Sequence, residues 1–75
     1  MGSVRYSVII EWDDSEQVYV ATVPALSVAT YGDTREQALE KVREAILVTI
    51  DGLRDIGQPV PDGDAGKVEV LEVEV

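Results

Sequence analysis

Seventy-five residues with an apolar share of 45% predict one small domain, residues 1–75, close to the size at which a core alone is marginal. The chain has no cysteine and no histidine, which excludes disulfide staples and thiolate metal sites, and removes the usual zinc ligand and the usual general base. Its formal net charge of −9 repels phosphate backbones, so direct nucleic-acid binding is disfavoured, and it would attract a basic protein partner. On composition alone the better reading is acidity that only keeps the domain soluble. The excess is −4 over residues 1–33, −1 over 34–56 and −4 over 57–75, so it lies outside the central segment. No apolar run approaches bilayer length, no charged-then-apolar leader is present, and Tyr6 breaks a myristoylation pattern at Met1-Gly2. A soluble cytoplasmic protein without membrane contact is expected.

In residues 4–12, Val4, Tyr6, Val8, Ile10 and Trp12 alternate with Arg5, Ser7 and Glu11, and Ile9 is the exception. Period two predicts a half-buried strand. Asp13-Asp14-Ser15-Glu16 reads as a polar turn, and residues 17–23 as the second strand of an antiparallel hairpin. That strand is apolar on both faces, with Tyr19, Ala21 and Val23 on one and Val18 and Val20 on the other. Pro24 ends it, and residues 27–31 predict a short third strand.

Gly32-Asp33 breaks the chain, and Thr34 with Gln37 makes a capping box for a helix over about 34–56. Leu39, Val42, Ile46, Ile50 and Leu53 share its apolar face, beside Ala38, Ala45 and Thr49. The helix spans roughly 35 Å, enough to cross a small sheet. Gly57 is placed as the left-handed C′ residue, and Pro59 and Pro61 prevent continuation. A loop, DGDAG, precedes a last strand, KVEVLEVEV, over 67–75. Its apolar phase shifts between Val70 and Leu71, which predicts either a bulge or a strand apolar on opposite faces at its two ends.

The expected fold is α+β: two layers in the order β-β-β-α-β, an antiparallel or mixed sheet with one long helix on one face. The other sheet face has no cover within the chain. Ile9, Val18 and Val20 on that face, with Val73 and Val75 of the last strand, are the candidate contacts of a homo-oligomer, a dimer or tetramer.

A catalytic reading has to start from carboxylates. Glu11, Asp13, Asp14 and Glu16 cluster at the first turn, and a metal-dependent nuclease would use Glu11 with Asp13 or Asp14. A solvated turn is the better reading, because two-metal sites need carboxylates from several elements. DGDAG lacks the remaining ligands of a calcium loop. The hydroxyls have no histidine to activate them and no nucleophile elbow. Tyr6, Trp12, Tyr19 and Tyr31 are surrounded by acid, which argues against stacking on single-stranded nucleic acid. No catalytic residue, metal or cofactor is expected.

Several segments together carry a resemblance. They are Glu11-Trp12-Asp13 closing a Tyr-containing strand, then Tyr19-Val20-Ala21-Thr22-Val23-Pro24 with Leu26, then Gly32-Asp33-Thr34 with Glu36, Ala38 and Leu39, and Gln58-Pro59-Val60-Pro61 after the helix. In order and spacing over about residues 5–61 they resemble the N-terminal domain of HicB-family antitoxins. The resemblance implies a degenerate ribonuclease-H-like domain without the nuclease carboxylates. It also implies a type II toxin–antitoxin role, in which the chain binds a small basic HicA-type mRNA-cleaving toxin and masks it. The exposed acids Glu11, Asp13, Asp14, Glu16 and Asp33 are the candidate contacts. Val28-Ala29 stands where family members commonly carry Gly-Cys-like residues. Many members add a C-terminal DNA-binding domain, so a stand-alone form without operator binding is expected here. A self-assembling domain with no toxin is the alternative.

Overall fold

The computed structural model describes residues 3–63 and 69–74. The elements are β1 (Ser3–Asp13), β2 (Val18–Val23), a single 3-10 turn (Pro24–Leu26), β3 (Val28–Gly32), α1 (Arg35–Asp55) and β4 (Glu69–Glu74). The four strands form one sheet in the order β3-β2-β1-β4, and every pairing is antiparallel. The class is therefore α+β, and the mixed-sheet alternative falls away. β1 is central but shared unequally. Its first half, Ser3 to Val8, pairs with β4, and its second half, Ile9 to Asp13, pairs with β2. Pro24 stops β2 short of the first half of β1, because proline has no N–H for the ladder. Beside that half, the phenol of Tyr6 donates to the Pro61 carbonyl at 2.7 Å, tying the chain beyond the helix back to the sheet.

Alternation in β1 sorts its residues as expected at the core: Tyr6 and Val8 are buried and join Ala21 and Val23 of β2. From the helix come Ala38, Val42, Ile46 and Ile50, four residues apart along one face. Leu39 packs at the margin of this cluster, and Leu53 is half-buried. Two residues depart from the alternation. Trp12 has core parity yet is exposed, its ring edge-on to Tyr19 with centroids 4.9 Å apart. Ser7 has open-face parity yet is buried, which fits its place on the central strand.

The helix ends follow local chemistry. The Thr34 hydroxyl accepts from the Gln37 N–H at 3.0 Å. The reciprocal bond of the box is shifted by one residue, since the Gln37 amide oxygen accepts from the Asp33 N–H, not from Thr34. At the other end Gly57 has φ 75. Its N–H donates to the Arg54 carbonyl and that of Gln58 to Leu53, the paired closure of a Schellman motif.

The phase shift in the last strand resolves without a bulge. The β1–β4 register runs unbroken from Val8 opposite Glu69 to Ser3 opposite Glu74, so the strand is apolar at positions on both faces. Leu71 stands opposite Tyr6 and Val73 opposite Val4, on the helix side, while Val70 stands opposite Ser7 on the open side. Val75 and residues 64–66 of the DGDAG loop lie outside the described residues.

Candidate functional site

The hairpin between β1 and β2 is built around one carboxylate. Asp13 Oδ1 accepts from the Ser15 hydroxyl at 2.8 Å, the Ser15 N–H at 3.1 Å and the Glu16 N–H at 3.2 Å, an Asx turn that orders the loop from within. These donors, the Ser15 hydroxyl first, hold the Asp13 carboxyl below its ordinary value of 3.8. Asp14 Oδ1 accepts from Gln17 Nε2 at 3.2 Å and from Trp12 Nε1 at 3.4 Å. Gln17 takes the positive φ of 57 that closes the turn. Glu11, Asp14 and Glu16 stay exposed.

Register gathers the rest of the surface to the same end of the sheet. Asp13 stands opposite Val18, and Tyr19 opposite Gly32. Asp33 follows Gly32 directly, so it lies beside the hairpin end although twenty residues separate it in sequence from Asp13. The open face next to these acids is apolar. Glu11 stands opposite Val20, and Val20 opposite Tyr31; Val18 and Val20 are half-buried, while Ile9 and Tyr31 are 38% and 62% exposed. A shallow depression of about 280 Å³ is lined by Glu16, Val18 and Tyr31. Residues separated by the sequence into an acidic set and an apolar set thus form one continuous surface. Val73, on the helix side by register, stands apart from it. Tyr31 was not among the expected site residues; the two-residue period of β3 gives only its parity, and the register, Val20 opposite Tyr31, is what puts it on the face of Val20.

This arrangement suits recognition of a protein. An apolar centre with a charged rim is the usual anatomy of a binding patch. Among the described residues no three acidic side chains converge to hold a metal ion, and no helix is long and apolar enough to cross a membrane.

Residues 6–74 match the model of a family described as HicB-like antitoxin of bacterial toxin–antitoxin system. The chain is also 35% identical over 68 residues to the UPF0150 protein Ta0767 of Thermoplasma acidophilum, with 89% of this chain and 97% of that protein covered. No solved structure matches the chain significantly. The acidic, apolar-centred sheet end therefore belongs to a member of the HicB-like antitoxin family.

Proposed function

We propose that this chain neutralises a small basic toxin of the HicA type, an mRNA-cleaving protein, by docking it on the open sheet face at the hairpin end. The observation that carries this reading is that Glu11 and Asp13 of β1, Asp14 and Glu16 of the hairpin turn and Asp33 after β3 lie at one end of the sheet, beside an apolar strip in which Ile9 and Tyr31 are exposed. The acids steer and orient a basic partner, and Ile9, Val18, Val20 and Tyr31 supply the desolvated contact. The chain acts as a binding module and not as a catalyst: three donors to Asp13 Oδ1 tie that carboxylate into the turn, a structural role for one of the acids that a nuclease would draw on. A degenerate ribonuclease-H-like scaffold in the cytoplasm belongs to the same reading.

The test is calorimetric titration against any small basic protein whose reading frame adjoins that of this chain. Binding that weakens at least about tenfold in the combined variant Asp14→Lys, Glu16→Lys, Asp33→Lys supports the proposal. The control Glu36→Lys, Glu40→Lys, on the exposed helix surface, keeps full affinity. Absence of binding, or equal loss in the control, overturns it. The exposure of Ile9 and Tyr31 favours one second reading, homo-oligomer formation through the open face with no toxin. Under that reading, Ile9→Lys yields monomers.

A further inference from the structure

The depression on the open face has walls of different chemistry. It is lined by Glu16, Val18 and Tyr31 and holds about 280 Å³, less than the roughly 300–1,000 Å³ of pockets that enclose a whole small molecule. A single side chain is the ligand that fits it. Tyr31 contributes an aromatic ring that is 62% exposed, and Val18 an apolar wall. Glu16 contributes a carboxylate that is still available. Its backbone N–H donates to Asp13, but among the described residues no group bonds or pairs with its side chain.

The chain itself shows what the Tyr31 ring attracts. Lys41 Nζ lies 5.5 Å from the centre of that ring, inside the roughly 6 Å within which the ring quadrupole holds a cation. Lys41 belongs to α1, which packs on the other side of the sheet, so its side chain passes round the β3 edge to arrive there. The residues lining the depression do not include Lys41. The ring thus holds one cation of its own while still forming a wall of a space that contains none.

We propose that this depression receives one arginine side chain of a basic protein, and that Lys41 is a built-in competitor for it. Charge and shape select arginine. A guanidinium lies flat on an aromatic ring, is weakly hydrated, and forks onto a carboxylate with two parallel N–H donors. Its methylene stem covers Val18. A neutral side chain would leave the Glu16 carboxylate unanswered, and an acidic one would be repelled by it and by a chain of net charge −9. The inference deepens the docking proposal by naming the side chain at its centre. It rests on that reading for the partner, but not for the pocket.

Lys41 opposes the arginine wherever the guanidinium settles. On the same face of the ring the two cations exclude each other. On opposite faces they repel at a separation on the order of 10 Å, about one Debye length at 0.1 M salt. Either way the arginine gains its full contact only when the lysine swings off the ring, a rotamer change of a surface side chain. Removing the Lys41 charge therefore tightens binding, where the loss of an ordinary packing contact would weaken it.

The probe is acetyl-arginine amide, which carries a guanidinium and no other charge, titrated into the isotope-labelled chain with amide NMR shifts as the readout. Saturable shifts are expected at Glu16, Val18, Tyr31 and their neighbours, with a dissociation constant on the order of 1–10 mM, as for one weak contact. The neutral citrulline analogue gives none, and acetyl-lysine amide binds at least about threefold more weakly. Tyr31→Leu and Glu16→Gln, at exposed positions, each weaken arginine at least about threefold. Lys41→Gln tightens it about threefold, an outcome that misfolding cannot produce, while Lys41→Arg and the exposed-helix control Arg43→Gln do not. Absence of saturable shifts up to about 50 mM, well above the expected range, overturns the pocket, as does equal binding of the citrulline analogue. Parent affinity in Lys41→Gln overturns the competitor role. Arginine binding by a chain that binds no basic protein supports the pocket and removes the toxin reading. Toxin binding that Glu16→Gln and Tyr31→Leu leave unchanged removes the pocket alone.

Discussion

At the scale of single residues, Gly32 is the position where the connection from sheet to helix is tightest. A β-carbon there would lie 2.6 Å from the Ala38 backbone nitrogen and 2.9 Å from the Gln37 carbonyl carbon. Both are backbone atoms of the first helical turn and cannot move as a flexible side chain does. Gly32→Ala is expected to cost about 2 kcal/mol, within the range for overpacking, and to lower the melting temperature by roughly 10 °C in a domain of this size. A melting temperature within about 2 °C of the parent would show that the helix shifts freely. Asp13 is a different kind of position, because its contribution is electrostatic and depends on pH. Its carboxyl is held below its ordinary value of 3.8, so the unfolded chain binds that proton more readily than the folded one. The stabilisation is complete above 3.8 and is lost as pH falls through the lower, folded value. Asp13→Ala is therefore expected to melt below the parent at pH 7, with the gap narrowing progressively in titrations below pH 3.8. A gap independent of pH would assign the effect to turn geometry alone.

At the scale of elements, α1 contains a weak point that its packing does not require. Gly52 lies inside the helix, and a β-carbon there would meet nothing within 4 Å. Glycine costs a helix interior about 1 kcal/mol relative to alanine, so Gly52→Ala is expected to raise the melting temperature by about 5 °C. A drop would reveal a partner surface at that turn. The helix was also the element most legible in the sequence: about 34–56 was expected and Arg35–Asp55 is found. Its start and stop are written in short-range chemistry, Thr34 with Gln37 at one end and Gly57 at the other. Strand identities were legible for the same reason, through two-residue alternation, and β3 at Val28–Gly32 is displaced by one residue from the expected 27–31. Strand order and stagger were not legible. Nothing near Ser7 in sequence says that it lies on the central strand with β4 beside it. The alternation that put Ser7 on the open face was right about parity and silent about burial. The site divides along the same line. The acids from Glu11 to Glu16 are neighbours in sequence and could be read as a cluster. Their union with Asp33, Val20 and Tyr31 depends on long-range register, which a periodic pattern does not encode.

At the scale of the whole molecule, the proposed docking would give charge and apolar surface separate kinetic roles, and this separates docking on the open face from simple ionic attraction. A net charge of −9 on 75 residues produces a field that would reach a basic partner before contact, accelerating encounter in a way that salt screens. In that docking the strip of Ile9, Val18, Val20 and Tyr31 would act only after contact, when water leaves, and so set the lifetime of the complex. With a basic toxin as partner, raising ionic strength from about 50 mM to about 500 mM is expected to slow association at least about tenfold while changing dissociation little. Tyr31→Ala is expected to do the reverse, speeding dissociation about tenfold or more, as loss of a central aromatic anchor does, with association nearly unchanged. Stopped-flow measurement of both rates at the two salt concentrations resolves the roles. If salt and Tyr31→Ala both act on dissociation alone, the acidic rim holds the complex by direct ion pairs. If Tyr31→Ala changes neither rate, the partner docks elsewhere, and the apolar strip is left to contacts between copies of this chain.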